Sequence, residues 1–81
     1  MPRHELILPE LGLPGQPLRL SLWLVAQGRK VTRGQALVEV LAGAAVVDLP
    51  SPADGTLVEK CVDEDTAVEV GAVLAVIESA D

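Results

Sequence analysis

The sequence predicts a single all-β domain that folds as a quasi-twofold sandwich of two small sheets. Its 81 residues include thirteen Leu and twelve Val but no Phe or Tyr, and β-branched side chains suit the pleated surface of a strand. Apolar and polar residues alternate in short runs, and the two halves of the chain resemble each other. A chain of this length forms one domain, residues 1–81, with a small core.

Strand signals recur between Gly and Pro residues along the whole chain. Six runs have the composition or the alternation of strands: HELIL (4–8), PLRLSLWL (17–24), ALVEVL (36–41), AAVVDL (44–49), GTLVEKCV (55–62) and AVLAVIE (72–78). Because Pro fixes φ and Gly allows positive φ, four further segments are predicted as turns: LGLPGQP (11–17), AQGRKVTRGQ (26–35), PSPADG (50–55) and DEDTAVEVG (63–71).

The second run alternates most regularly. Four leucines share one face of an ideal strand: Leu18, Leu20, Leu22 and Leu24. The opposite face carries Arg19, Ser21 and Trp23. Because alternate strand residues point to opposite faces, we expect Leu20, Leu22 and Leu24 to face the core. Truncation of Leu22 to alanine should then cost about 2–5 kcal/mol.

An internal repeat relates the two halves of the chain. At an offset of 37 residues, residues 27–40 lie on residues 64–77. The matched pairs are Val31 with Val68, Gly34 with Gly71, Leu37 with Leu74, and Val40 with Ile77. A Val, a turn Gly and an apolar strand thus occur at the same place in each half, which predicts the quasi-twofold arrangement.

Charge and cysteine content exclude several classes of function. A formal net charge of −6 and a single Trp do not suit nucleic-acid binding, which needs basic side chains or stacked aromatics. The single Cys61 excludes an intrachain disulfide and a cysteine-rich metal site. A single cysteine also fits a reducing, cytoplasmic setting. Because no apolar run has the length of a membrane span or the pattern of a signal peptide, we expect a soluble domain without membrane contact.

Three ordered segments resemble the lipoyl domain of the biotinyl/lipoyl carrier family, in its 2-oxoacid dehydrogenase acyltransferase form. LPELG (8–12) resembles the opening strand and turn of that family. LWLVAQGRKVTRGQALVEV (22–40) resembles its next two strands and the turn between them, and VVDLPSPADGTLVEKCVDEDTAVEVGAVLAVIE (46–78) resembles the return strand, the Pro-Ser-Pro-x-x-Gly turn and the second half. The resemblance covers nearly the whole chain.

This resemblance implies a flattened barrel or sandwich of two four-stranded antiparallel sheets with one exposed hairpin. In the family that hairpin presents a lysine, which is acylated by lipoate or biotin and swings between active sites. By the same alignment, Gly43 stands at the usual Asp position, Ala44 at the lysine and Ala45 at the following residue. No residue from 41 to 47 carries an amine or another nucleophile, so we expect no cofactor.

The remaining candidate residues are assigned structural roles. His4 is the only histidine, and Ser51 lies between two prolines without a base in reach. Cys61 is either a small buried hydrophobe, which we favour, or a partly exposed thiol. The acids at 63–65 fit a solvated turn and lack the spaced ligands of a calcium loop. Trp23 covers a sheet edge or forms a contact patch. No set of acid, base and nucleophile can be assembled, so we expect neither an enzyme nor a metal site.

Charges of opposite sign gather at corresponding places in the two halves. The first-half turn carries Arg29, Lys30 and Arg33. The corresponding second-half region carries Glu59, Asp63, Glu64, Asp65 and Glu69. Two solvated turns explain both groups, and patches of this kind also steer the orientation of a partner.

The sequence therefore predicts a non-catalytic, lipoyl-like protein-interaction module, associated with an acyl-transfer or carboxylase multienzyme system. Its predicted contact residues are those of the hairpin tip: Ala42, Gly43, Ala44 and Ala45. One alternative is a swinging-arm carrier of a 2-oxoacid dehydrogenase acyltransferase whose lysine is replaced by Ala44. Another is the lipoyl-like module of a membrane-fusion adaptor. The partner, an adjoining enzyme domain or a separate protein, and the oligomeric state stay open.

Overall fold

A computed structural model describes residues 1–79 as two four-stranded antiparallel sheets. One sheet has the strand order β1-β8-β6-β3, and the other has the order β5-β4-β2-β7. The strands are β1 (Arg3–Ile7), β2 (Leu18–Trp23), β3 (Lys30–Val31), β4 (Ala36–Ala42), β5 (Ala45–Pro50), β6 (Gly55–Lys60), β7 (Thr66–Val68) and β8 (Val73–Glu78). The predicted all-β sandwich is confirmed. Within these residues no helix is long and apolar enough to cross a membrane.

A pseudo-twofold axis relates the two halves of the chain. Strands β1, β8, β6 and β3 of one sheet correspond to β5, β4, β2 and β7 of the other. Backbone hydrogen bonds repeat at the predicted offset: the Leu24 amide donates to the Leu37 carbonyl oxygen, and the Cys61 amide donates to the Leu74 carbonyl oxygen, both at 2.8 Å. The internal repeat seen in the sequence is therefore a repeat of the structure.

The core lies between the two sheets and is built from corresponding residues. The matched apolar residues of the repeat are all buried: Val31, Leu37, Val40, Val68, Leu74 and Ile77. Leu20 on β2 and Leu57 on β6 are fully buried at equivalent positions. Each half contributes the same kind of aliphatic surface, so neither half buries its strands without the other.

A bulge in β2 reverses the alternation predicted for this strand. The register against β4 shifts between Leu20 and Leu22, which leaves Ser21 as an extra residue. Leu20 is fully buried, whereas Leu22 is 38% exposed and Leu24 is 44% exposed. The expectation that Leu22 and Leu24 face the core is therefore wrong, because one inserted residue exchanges the two faces of a strand.

The same bulge turns Trp23 toward the interior. The indole Nε1–H donates to the Val62 carbonyl oxygen at 3.0 Å, and the Trp23 amide donates to the Glu64 carboxylate at 2.8 Å. The Lys60 ammonium nitrogen lies 5.3 Å from the ring centroid, which is within the range of a cation–π contact. Trp23 is half-buried and packs against the core. Its contacts join the two halves of the domain, which differs from both roles left open by the sequence, the cover of a sheet edge and the contact patch.

Two strands fall in segments that were predicted to be turns. β3 has two residues and pairs with β6, and β7 has three residues and pairs with β2. Runs this short contain too few residues to show a period of two. Shifted by the 37-residue offset of the repeat, the residues of β3 fall within β7. The repeat therefore indicates this strand, although the local sequence pattern does not.

Candidate functional site

The hairpin between β4 and β5 ends in a two-residue turn. Ala42 pairs with Ala45, which leaves Gly43 and Ala44 at the tip. Gly43 has a φ of 61°, whereas Ala44 does not have a positive φ. This is the pattern of a type II′ turn, which favours glycine at its first central position. The turn holds Ala44 exposed at the end of the hairpin.

The loop between β1 and β2 packs against this tip. The Gly43 amide donates to the Pro17 carbonyl oxygen at 3.3 Å. The side-chain oxygen of Gln16 occupies the space that a Cβ at residue 43 would need. Sequence reasoning missed both loop residues, because nothing in residues 11–17 indicates where the loop lies. The one indication in the sequence was the glycine at the tip, because glycine adopts a positive φ easily and lets another segment approach the backbone closely.

The structure exposes three of the four predicted contact residues. Gly43, Ala44 and Ala45 are exposed, whereas Ala42 is 2% exposed. Ala42 lies at the end of β4, where its methyl group is buried, so it is removed from the predicted contact surface. Val46, which the sequence did not single out, is 60% exposed. It extends the apolar surface of the tip along β5, the outermost strand of its sheet.

Neither lysine of the chain lies in the hairpin. Lys30 is in β3, which pairs with β6. Lys60 ends β6, and its ammonium group lies over the ring of Trp23. The exposed turn residue is Ala44, whose methyl group cannot form an amide. The tip therefore presents a small apolar surface with no amine.

The other polar candidates have structural partners. His4 Nε2 lies 3.2 Å from Ser79 Oγ. Ser51 is buried, and its hydroxyl donates to the Ala53 carbonyl oxygen at 2.7 Å, which agrees with its assignment as a turn residue. Residues 63–65 are exposed. In the part of the chain that the structure describes, no group of three His, Cys, Asp or Glu side chains could hold a metal ion.

The thiol of Cys61 is exposed, so the favoured interpretation as a small buried hydrophobe is wrong and the alternative of an exposed thiol is the one observed. Partial burial raises the pKa of this thiol, and the negative charges of Glu59 and Glu5 raise it further. The thiolate is the reactive form of cysteine. Cys61 is therefore accessible but only weakly nucleophilic at neutral pH.

The two charged regions lie at equivalent ends of the two halves. Arg29, Lys30 and Arg33 are exposed beside β3. The corresponding acidic residues beside β7 are also exposed: Asp63, Glu64, Asp65 and Glu69. Asp65 pairs with Arg19 at 3.4 Å. The pseudo-twofold axis therefore relates a basic surface to an acidic one.

Known proteins resemble this chain both in sequence and in fold. The biotin/lipoyl family model, described as "Biotin-requiring enzyme", matches residues 4–77. The dihydrolipoyllysine-residue acetyltransferase component of the pyruvate dehydrogenase complex from Corynebacterium glutamicum is 40% identical over 74 residues, and the component of the same name from Staphylococcus epidermidis is 34% identical over 77 residues. These matches cover 91% and 95% of this chain but only 11% and 18% of the two relatives.

Solved structures share the fold at lower sequence identity. The urea carboxylase of Kluyveromyces lactis superposes with a TM-score of 0.81 at 18% identity, over 96% of this chain and 6% of that one. The lipoyl domain of the 2-oxoglutarate dehydrogenase complex from Azotobacter vinelandii superposes with a TM-score of 0.71 at 21% identity, over 91% of this chain and 98% of that one. With the family match over residues 4–77, the chain belongs to the biotin/lipoyl family.

Proposed function

We propose that this domain docks to a protein partner, or to an adjoining enzyme domain, without carrying a cofactor. The observation that carries the proposal is Ala44, an exposed residue without an amine at the tip of the hairpin. By the sequence resemblance this is the position at which the family presents its lysine. We place it in a cytoplasmic acyl-transfer or carboxylase multienzyme system. The named relatives, which are acetyltransferase components, support the acyl-transfer setting.

The surface around the tip suits contact with a protein. Gly43, Ala44 and Ala45 are small and exposed, so a partner backbone can approach them closely. Val46 adds an apolar side chain beside them. The outer edge of β5 presents unpaired N–H and C=O groups, to which an extended partner segment can add as a further strand.

A second candidate is a swinging-arm carrier of a 2-oxoacid dehydrogenase acyltransferase in which alanine replaces the lysine. The two-residue turn supports it, because residue 44 is still held exposed at the end of the hairpin. Under this hypothesis the shape of a carrier is kept and only its acceptor amine is missing. The two candidate functions differ in whether a lysine placed at residue 44 would be acylated.

Acylation separates the two candidates. Wild type, Ala44→Lys and the control Asp48→Lys, which places a lysine four residues further along β5, are incubated with a lipoate ligase, lipoate and ATP. Intact masses are then measured. The wild type should gain nothing, and Asp48→Lys should gain nothing. One lipoyl group on Ala44→Lys would show that the hairpin keeps a carrier's shape. Modification of the wild type at Lys30 or Lys60 would overturn the proposal of a domain without a cofactor.

Docking is tested by photo-crosslinking from the tip. Cysteine is moved there in the double variant Cys61→Ser/Ala44→Cys, labelled with benzophenone maleimide and irradiated in an extract of the host cell. The control Cys61→Ser/Thr32→Cys places the label in the turn before β4. One enzyme component should be captured from the tip, not from the control, and unlabelled wild type should compete with it. Equal capture from both positions would contradict docking through the tip.

A further inference from the structure

A second surface, separate from the exposed tip, is an open groove of about 920 Å³ beside β7. It lies between the start of β2 and the segment that follows β6. Leu18 and Val62 line it and also pack against the core, and Val68 of β7 is buried beneath it. Val70 also lines the groove and is 49% exposed. Its apolar walls are continuous with the core, so they are held in place by the fold.

The charged residues that line this groove are both acidic. Asp63 and Glu69 both line it and are both exposed. Neither forms an ion pair within residues 1–79, where the ion pairs are those of Arg3 with Glu78 and Arg19 with Asp65. No Lys, Arg or His follows Lys60 in the sequence. Lys60 is thus the last cation of the second half, and its ammonium group lies over the Trp23 ring.

The pseudo-twofold counterpart of the groove is different in both size and charge. It is divided into two smaller pockets, one of about 200 Å³ between the segment after β2 and β3, and one of about 480 Å³ between β3 and the start of β6. Its lining includes Leu24 and Val25 with Arg29 and Lys30. The fold alone thus does not dictate an acidic groove of the larger size. The acidic groove depends on the particular side chains around β7 and at the start of β2.

We propose that the groove beside β7 binds an extended segment of a partner protein that carries aliphatic side chains next to Lys or Arg. The aliphatic side chains would cover Val62 and Val70, and the cationic ones would pair with Asp63 and Glu69. The volume lies within the range of about 300–1,000 Å³ typical of ligand sites, but the groove is open along its length, which suits a chain better than an enclosed small molecule.

The groove adjoins the tip but does not depend on it. Gln16 lines the groove and also packs against Gly43, so one partner can contact both surfaces. Because the test measures binding of a peptide directly to the groove, the groove proposal can fail while docking through the tip stands, and the reverse also holds.

The chain contains its own reporters for this site. Trp23 is the only tryptophan, and its indole N–H donates to the carbonyl oxygen of Val62, a lining residue. Binding over Val62 should therefore change tryptophan fluorescence. Backbone amide NMR shifts of residues 61–70 report on the same region with residue resolution.

The experiment is a titration of the isotopically labelled domain with acetyl-Val-Arg-Val-Arg-Val-Arg-amide. Amide shifts should saturate and should concentrate in Gln16, Leu18 and residues 61–72. Two control peptides separate the contributions: one replaces valine by serine, and the other replaces arginine by glutamate. Both should bind at least about tenfold more weakly, which corresponds to about 1.4 kcal/mol.

Matched variants test whether the charges of the groove matter. Asp63→Asn/Glu69→Gln should weaken peptide binding about tenfold, or about 1.4 kcal/mol, because two exposed ion pairs are lost. Glu39→Gln/Asp48→Asn removes the same charge from a cross-strand pair on β4 and β5, so it should leave binding within about twofold. Any one of three results would overturn the proposal: equal weakening by both pairs of substitutions, amide shifts spread over all acidic surfaces, or no saturation by about 1 mM peptide, which corresponds to about −4.1 kcal/mol.

Discussion

Truncation of Leu20 should destabilise this domain far more than truncation of Leu22, although both leucines lie on β2. Leu20 is fully buried, and Leu22 is 38% exposed on the outer side of the bulge. At about 0.8 kcal/mol per buried methylene, the three lost carbons of Leu20 contribute about 2.4 kcal/mol, and the cavity left behind raises the cost to about 3–4 kcal/mol. The same carbons of Leu22 are little more than half buried and leave no enclosed cavity, so Leu22→Ala should cost about 1.5 kcal/mol.

These differences are large compared with the stability of a small domain. Stabilities of about 0.05–0.15 kcal/mol per residue imply a total free energy of unfolding of about 4–12 kcal/mol for a chain of this size. At about 4–8 °C per kcal/mol, Leu20→Ala should lower Tm by about 12–30 °C, whereas Leu22→Ala should lower it by about 6–12 °C.

Urea unfolding, followed by far-UV circular dichroism and by Trp23 fluorescence, measures both variants. An unchanged m value would show that the unfolded states are comparable. Leu57→Ala provides the matched control, because Leu57 is the fully buried counterpart of Leu20 on β6. Its cost should equal that of Leu20→Ala to within about 1 kcal/mol, given the spread of such truncations. If Leu22→Ala proved as costly as Leu20→Ala, the bulge and the outward direction of Leu22 would be refuted.

Three further outcomes are expected. Iodoacetamide should modify Cys61 slowly at pH 7 and faster as the pH rises, because the raised pKa of the thiol leaves little thiolate at pH 7. Glu59→Gln removes a negative charge near the thiol and should accelerate the reaction at a fixed pH. An unchanged rate would contradict this effect of charge on the thiol pKa. Gly55→Ala should cost about 1–3 kcal/mol in urea unfolding, since a Cβ would meet a backbone carbonyl of β8; a loss under about 0.5 kcal/mol would refute that contact. Trp23→Phe should cost at least about 1 kcal/mol by removing the donor to the Val62 carbonyl, and an unchanged urea midpoint would show that this hydrogen bond contributes nothing.

The repeat and the composition were sufficient to predict the sheets, but not the faces of the strands. Val31 and Val68 lie at the predicted equivalent positions and are both buried. The face of Leu22 was predicted wrongly because leucines continue to alternate through the bulge, so no change in the pattern marks the extra residue. The bulge is defined by the pairing of β2 with β4, and the sequence of β2 alone does not show that pairing.

The tip was identified from the sequence, whereas its surroundings were not. The resemblance to the family located Gly43 and Ala44, and the turn at these residues agrees with that placement. Gln16 escaped notice because its contact with Gly43 joins two segments far apart in the chain. The groove beside β7 was missed for the same reason: residues 16–18, 61–63 and 66–72 meet only after both halves have folded.

The ladder between β1 and β8 also affects how such a unit can be joined to other domains. The Ser79 amide donates to the Pro2 carbonyl oxygen at 2.9 Å, and Arg3 pairs with Glu78. Under the pseudo-twofold axis, this open junction is the counterpart of the β4–β5 turn. A circular permutant that links residues 2 and 79 by a short connection and opens the chain at the tip would keep all the strand pairs. Because residues 2 and 79 lie side by side, residues 2–79 are suited to insertion as a unit within a loop of another protein.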